Sequence, residues 1–590
     1  MRRLATPLAS LAIALFLGLF LLWPLADTLF RAVIRHTPEG SEWTARYLLE
    51  LFRNPVERDA VLLSLWLALW ATLATFALAL PLAWLFARKT FPGQRFFSAL
   101  LLAPLVMPPF VGAVGMKNLF ARDGPVNAWL AHLGIPPMDW FGAHPLAGIV
   151  ILEALHLYPI LYLNLLAAFA NVDPALEAAA ANLGAGPWRV FRRVTLPLAL
   201  PGAFAGGVLV LAWAFTELGT PLIFNLRGVL PVRLFYNVSD ALTNPIGSAQ
   251  VTFVLVLTAL GFLAAKAALR RAGDMAAAGR LSAGAAQKPL SRVGAALAWL
   301  AVGGVTLLAA LPHLSVVVLS AAKQGPAGFS AGWTFDFYRQ SLSSPLVRTA
   351  LTNSLLLSLA ACLVDLALGC GIAWLCVRKR ARGAWLLDAL AMLPLAAPGI
   401  VVAFGYLAAF GGGQAERWIA AAFAAAGWTD PSTAGRLAAL VGAWFDPRQN
   451  PLPLLAVSYA IRRLPYMTRA AHAGLEQVSV VYEEAAANLG ATPRRTWRRV
   501  TLPLIAANLL AGLVLTFIFS MLEVSDSLIL AQDEATYPLT KAFYAFIGGL
   551  ENGDSQAAAL GVWTMALLGV GLAWAALLLG KRMGRLFRMG

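Results

Sequence analysis

Charge is what this chain has least of. Only 13% of its 590 residues are Asp, Glu, Lys or Arg, about half the share found in soluble globular proteins. With 59% of residues apolar, that deficit excludes a cytosolic enzyme and a disordered chain alike. Histidine is scarce too: the six are scattered, so no imidazole cluster marks a metal site and no cofactor is expected. The three cysteines, Cys362, Cys370 and Cys376, fall in one apolar stretch with no CxxC spacing and no histidine nearby. They read as small buried apolar side chains. A GxxxxGK(S/T) phosphate loop is missing, so the chain is not itself an ATPase, and no His/Asp or Ser/Lys cluster suggests a membrane enzyme. The 45 Lys and Arg outnumber the 29 Asp and Glu, giving a formal charge of +16. In a soluble chain that excess would suggest nucleic acid. Here the cations sit in short clusters between apolar runs, where they report orientation across a bilayer.

What the sequence does have is apolar length. At roughly 20 residues per crossing, it holds about 12 membrane helices. The expected spans are 7–30, 60–86, 97–120, 145–170, 200–224 and 248–270, then 293–320, 350–376, 385–411, 452–474, 505–530 and 556–580. The fold class is therefore an all-α polytopic membrane protein. Its first apolar run follows Arg2 and Arg3 as a signal peptide would, but it continues past Trp23 to Val33 without a small-x-small site and reads as a retained helix. With both termini cytoplasmic, three basic clusters face the cytoplasm: Arg88, Lys89 and Arg95; Arg378, Lys379, Arg380 and Arg382; and Lys581, Arg582, Arg585 and Arg588. Loop 31–59 opposes that scheme with Arg31, Arg35, Arg46, Arg53 and Arg58, although Glu39, Glu42, Glu50, Glu57 and Asp59 soften the conflict.

The chain also repeats itself. Arg192 to Leu198 reads RRVTLPL, and so does Arg498 to Leu504, an offset of 306 residues. Ala181-Asn182-Leu183-Gly184-Ala185 recurs as Ala487-Asn488-Leu489-Gly490-Ala491, and Pro187 as Pro493. Upstream the offset is 290: Ala83-Trp84-Leu85 matches Ala373-Trp374-Leu375, while Pro104, Pro108 and Gly115 match Pro394, Pro398 and Gly405. The difference implies an insertion, assigned to an external loop at 412–451. Each half then holds six spans, an even number, so the halves lie parallel and pseudo-symmetric and inverted repeats of odd-helix units are disfavoured. The expected domains are 1–271 and 293–590, joined by a flexible Ala/Gly-rich cytoplasmic linker at 272–292.

The repeated cytoplasmic segments, 173–197 and 479–503, are the most informative. Asp173 and Ser479 are helix-capping residues, and Pro174 suits a first helical position. Alanine-rich runs follow, Leu176 to Asn182 and Tyr482 to Asn488, then a glycine for a sharp turn, then arginines, then the Leu196-Pro197 and Leu502-Pro503 pairs that open the next span. Each segment reads as a compact knob between two membrane helices, able to dock in a groove of another protein. This pattern resembles the EAA loop of permease subunits of binding-protein-dependent ABC importers, E-A-A-x-x-x-G followed ten residues later by I/V-x-L-P. Glu484, Ala485, Ala486, Gly490, Val500, Leu502 and Pro503 fit it throughout. In the first copy Gly184, Val194, Leu196 and Pro197 match, but Ala178 stands at the motif glutamate and the acid is one residue earlier, at Glu177, with Ala179 following in the run.

The resemblance extends over nearly the whole chain to fused permeases of the ferric iron type, with thiamine, polyamine and aminoethylphosphonate permeases as relatives. It implies a bacterial inner-membrane subunit with no chemistry of its own, two partner ATPase subunits docked at the two loops, and a periplasmic binding protein that delivers a small solute, ferric iron first among the candidates. The alternative class is a secondary transporter with parallel six-helix halves, which leaves the EAA-like loops unexplained. Within the expected spans, Glu217 and Glu523 occupy matched positions in the helix after each loop. Such carboxylates suit a translocation path or gate, a structural ion pair, or the membrane interface. Asp526 stands one turn beyond Glu523 where the first half has Thr220, so an acidic path would be asymmetric. His156 and Arg462 are also matched, ahead of the helix-kinking Pro159 and Pro465. Arg462 and Arg463 read as a bundle-stabilising pair, and Asp365 stands opposite Thr75 as a possible partner.

Overall fold

Lipid offers backbone groups no hydrogen bonds, so apolar spans of this length must satisfy them internally, as helices. The computed structural model describes residues 2–37, 40–105, 107–142, 144–237, 245–278, 287–325, 328–379, 381–425, 431–547 and 552–586. Eight described helices are long and apolar enough to cross a bilayer: Thr6–Val33, Pro55–Arg88, Pro145–Ala170, Pro187–Ile223, Pro245–Arg270, Arg292–Leu319, Pro345–Lys379 and Pro493–Met521. The segments expected as single spans at 97–120 and 385–411 are broken instead. Gln94–Leu105 meets Pro109–Leu119 at 89°, and Ala384–Leu395 meets Gly399–Phe410 at 107°. The cause is local: Pro108 and Pro398 donate no backbone hydrogen bond, and each disfavours helix in the residue before it. Counting each bent pair as one span gives ten. The expected span at 452–474 is the continuous helix Leu452–Gln477, made less apolar by Arg462, Arg463 and Arg469. The helix Gly553–Leu586 covers 556–580.

Long-range packing interlocks segments that are hundreds of residues apart in the sequence. Thr6–Val33 packs on Gly399–Phe410, where the Arg31 guanidinium donates to the Ala408 carbonyl (3.0 Å) and the Tyr406 hydroxyl to the Phe20 carbonyl (2.8 Å). Arg292–Leu319 packs on Pro109–Leu119 in the same manner, with His313 Nε2 3.2 Å from the Pro108 carbonyl. Both contacts need glycine. A Cβ on Gly115 would overlap the Pro312 carbonyl, and one on Gly405 would stand 3.0 Å from the Pro24 carbonyl.

Three segments read as loops or linker carry structure of their own. Loop 31–59 is ordered as an antiparallel hairpin, Ile34–Thr37 with Gly40–Trp43, followed by the helix Arg46–Arg53. A second hairpin, Ala322–Gly325 with Gly328–Trp333, precedes the helix Asp336–Ser343 in the same way. The 412–451 loop contains two helices packed on each other, Gln414–Ala425 and Pro431–Phe445. Gly442 permits that contact, since its Cβ would crowd the backbone of Glu416, and the buried Asp446 accepts hydrogen bonds from the backbone of Gly413 (3.1 Å) and Arg448 (3.0 Å). The linker is held at both ends. The helix Pro245–Ala278 runs into it, and beyond it Lys288–Pro289 pairs in parallel with Lys89–Thr90. Gln287 donates to the Phe86 carbonyl (3.0 Å), and Ser291 caps the next helix. Residues 279–286 of the expected linker, with Arg280, lie outside the described residues, as do Arg380 and Arg588. The fold remains all-α in class; short two-stranded pairings account for the strands among the described residues.

Candidate functional site

Each repeated segment folds as capped helix, left-handed glycine and second helix. The carboxylate of Asp173 accepts from the Ala175 amide (2.8 Å) to start Pro174–Asn182, and the Ser479 hydroxyl accepts from the Val481 amide (3.4 Å) to start Val480–Asn488. Gly184 (φ +82°) and Gly490 (φ +81°) then reverse the chain, in a region costly to residues with a Cβ. Around both glycines there is open space, so the requirement is conformational and not steric. A single π turn follows in each copy, Phe191–Thr195 and Trp497–Thr501, before Leu196 and Leu502 open the long helices with Pro197 and Pro503 at tolerated positions.

The same three-residue clasp holds both knobs. Arg88 Nη2 binds Glu177 Oε1 (2.9 Å), which also accepts from the Thr195 hydroxyl (2.6 Å). Arg378 Nε binds Glu483 Oε1 (3.0 Å), which accepts from the Thr501 hydroxyl (3.0 Å). Each arginine also donates to the backbone just before its knob helix, at Val172 (3.4 Å) and Val478 (2.7 Å). The counterpart of Glu177 is therefore Glu483, at the offset of 306, and Glu484 is exposed on the helix surface. Sequence reading placed the functional acid of the second copy at Glu484 and passed over Glu483, Arg88, Arg378, Thr195 and Thr501 as partners. A signal was available: the arginines share the 290-residue offset, and the threonines are the T of the repeated RRVTLPL. Ala179 and Ala485 are exposed and Ala486 half-buried. The knob tips are bare apolar residues, Leu183 at 89% and Leu489 at 90% exposure, with Trp188, Leu176, Val481 and Tyr482 around them.

A second feature lies between the long helices: a cavity of ≈ 220 Å³ lined by Glu153, His156, Glu217, Thr220, Arg462, Arg463 and Glu523, among others. Glu217 and Glu523 are not inside helices, as expected, but in the breaks that follow them. The first helix stops at Thr216 and resumes at Gly219; the second stops at Met521 and resumes at Ser525. The break explains the carboxylates, because each caps the helix that follows. Glu217 Oε1 accepts from the amides of Gly219 (3.1 Å) and Thr220 (3.3 Å), and Glu523 Oε1 from that of Asp526 (3.4 Å). Beyond this the two sides diverge. Glu523 forms ion pairs with both Arg462 and Arg463, and Asp526 sits 3.5 Å from Arg462 while accepting from the Ser458 hydroxyl (2.7 Å). Glu217 has no arginine of its own among the described residues. Glu153, unnoticed in the sequence, is 4% exposed, and neither of its oxygens finds a hydrogen-bond partner among the described residues. An intramembrane carboxylate costs about 3 kcal/mol or more unless compensated. The sequence leaves the partner of Asp365 open; in the structure Asp365 accepts from the Thr516 hydroxyl (3.3 Å) on the helix Leu502–Met521, while the Thr75 hydroxyl donates to the Ala71 carbonyl. Pro159 and Pro465 lie within helices that run on through them.

Bundled apolar helices bearing two exposed knobs and an inner polar cavity define a membrane transport subunit. The chain belongs to the family of binding-protein-dependent transport system inner membrane components, which matches residues 61–273 and again 366–585. It is 38% identical over 177 residues to the molybdenum transport system permease protein ModB of Escherichia coli, a match covering 29% of this chain and 74% of that protein. The probable ABC transporter permease protein y4fN of Sinorhizobium fredii is 27% identical over 514 residues, 84% of this chain and 83% of that one. The ferric transport system permease protein FbpB of Actinobacillus pleuropneumoniae is 24% identical over 533 residues, 88% and 70%. The chain is thus a multi-pass transmembrane permease component of a binding-protein-dependent ABC importer, a transport subunit and not an ATPase, which displaces the secondary-transporter alternative.

Proposed function

We propose that the chain carries a pair of permease halves in one polypeptide, residues 1–271 and 293–590, each with six membrane helices and the two parallel. In this reading both termini are cytoplasmic in a bacterial inner membrane. Two ATPase subunits, one per knob, seat on segments 173–197 and 479–503, and a periplasmic binding protein delivers solute to the opposite face. The cavity between the halves, lined by Glu217 and Glu523 and backed by Asp526 beside Arg462, is a stretch of the translocation path. Two family matches in one chain, the interlocked first helices and the recurrent glycines support the duplicated architecture. The observation that carries the coupling role is the repeated Arg–Glu–Thr clasp beneath an exposed apolar tip. A tip of that kind is held rigidly enough to transmit force and is apolar enough to bury in a partner groove. Names among the relatives point to different solutes, molybdenum and ferric iron, so ferric iron remains one candidate and the choice falls to the chemistry of the cavity.

The test is capture of an ATPase by the detergent-solubilised full chain and stimulation of its hydrolysis. Replacing both Leu183 and Leu489 by Asp should abolish capture without changing the melting profile of the permease. Capture and stimulation undiminished in that variant would overturn the assignment of the knobs.

A further inference from the structure

On the permease reading the cavity is solute path, and its walls are unlike. Four positions correspond at the 306-residue offset: Glu153 with Tyr459, His156 with Arg462, Glu217 with Glu523, and Thr220 with Asp526. In the second half each of the four has a protein partner. Tyr459 shares a hydrogen bond with Ser527 (2.6 Å), Arg462 and Glu523 pair, and Asp526 accepts from Ser458. Of these four residues, only one Asp526 oxygen is without a partner among the described residues. Arg462, Arg463 and Glu523 line the cavity, and Asp526 stands behind them beside Arg462, so this cluster sets two arginines against two acids. In the first half, both oxygens of Glu153, Nδ1 of His156 and the hydroxyl of Thr220 have no hydrogen-bond partner among the described residues. All three residues line the cavity, with Glu153 4% and Thr220 0% exposed.

We propose that Glu153, His156, Glu217 and Thr220 form a transit site for a small organic cation carrying N–H donors, of the ammonium or guanidinium class. This deepens the permease reading and rests on it. The first wall brings two carboxyl groups and no Lys or Arg, while the arginines across the cavity are already held by Glu523. Two carboxyl groups with no cation on their own wall favour a ligand that brings positive charge and hydrogen-bond donors over an anion. A bare metal ion is also a poor fit, because no group of three or more His, Cys, Asp or Glu among the described residues is gathered closely enough to hold one. N–H donors work at longer range, about 2.7–3.2 Å per bond, and can bridge acceptors spread around a cavity. Glu217 is fixed by the backbone amides it caps, which leaves Glu153 as the carboxyl group with its full acceptor capacity free for a ligand. Binding should be weak, since a path must release what it admits.

The full-length chain in lipid nanodiscs can be tested by equilibrium binding of radiolabelled putrescine as the ammonium probe, with magnesium chloride and molybdate as metal and anion probes. Putrescine should be retained in preference to both. Glu153→Gln should weaken it at least tenfold and Thr220→Val about threefold, whereas Glu416→Gln, on the exposed helix Gln414–Ala425, should change nothing. No retention of putrescine, equal affinity in wild type and a normally melting Glu153→Gln variant, or preference for magnesium or molybdate would each overturn the site. If Glu153→Gln does not fold, Thr220→Val decides, and unchanged affinity there overturns the site as well. The permease reading fails separately: ATPase capture lost with diamine binding intact sinks that reading alone, and ATPase capture intact with diamine binding indifferent to Glu153 sinks the site alone.

Discussion

Two sets of matched positions have had different histories in this molecule. At the knobs, Arg88, Glu177 and Thr195 are repeated without change as Arg378, Glu483 and Thr501, with closely similar distances. In the membrane, Glu153, His156, Glu217 and Thr220 correspond to Tyr459, Arg462, Glu523 and Asp526, and only the glutamate of the third pair survives. On the proposed coupling role, a surface that receives similar partners twice is held to one solution. On the proposed path role, a cavity shared by both halves is not, because one solute would meet both walls at once and each wall is free to specialise. One wall is an ion-paired cluster, and the other carries polar groups with no hydrogen-bond partner among the described residues.

The largest test of that contrast is stability. Arg462→Met leaves Glu523 and Asp526 buried with half their compensation, and breaking a buried ion pair from one side costs about 3–5 kcal/mol. Thermal melting should show a loss of that order, or no folded protein. Glu153→Gln, on the opposite wall, removes a buried carboxyl group that no protein group compensates, and should leave the melting temperature unchanged or raise it. Equal destabilisation by the two variants would erase the distinction between the walls. The interlocking glycines come next. Gly115→Ala forces a methyl into the Pro312 carbonyl and Gly405→Ala only crowds Pro24, so the first should cost more within the roughly 1–3 kcal/mol typical of overpacking, read by chemical or thermal denaturation. At the knobs, Glu177→Gln and Glu483→Gln should lower stimulated ATPase turnover by similar factors, each more than Glu484→Gln. A larger effect at Glu484 would return the second acid to its motif position. Smallest, Thr195→Val and Thr501→Val should each cost about 0.5–1.5 kcal/mol and differ little from one another in melting experiments.

Much of this was legible from local patterns. Hydropathy placed most of the long helices within a few residues, although the span expected at 505–530 ends at Met521, and Gly184, Gly490, Asp173 and Ser479 announced the knobs because capping and left-handed turns depend on a handful of adjacent residues. Spans 97–120 and 385–411 were misread because their apolar composition hid what Pro108 and Pro398 do to direction. Glu217 and Glu523 were placed in helices because nothing in a run of apolar residues marks where a helix pauses inside a membrane. Glu153 escaped notice because its counterpart is Tyr459: a search for repeated acids finds what the halves share, and the distinctive chemistry lies where they differ. Motif alignment chose Glu484 over Glu483, while side-chain geometry favours the residue that faces Arg378.

By itself, then, the sequence determined the membrane class, the repetition and the places where a partner could dock, since these rest on composition and on residues close together in the chain. Tertiary structure decided which helix end meets which, which of two neighbouring glutamates is clasped, and which wall of the cavity holds a carboxyl group without a hydrogen-bond partner among the described residues. Those outcomes depend on side chains separated by tens to hundreds of residues, and helices that are apolar on every side carry no periodic face from which such partners could be read.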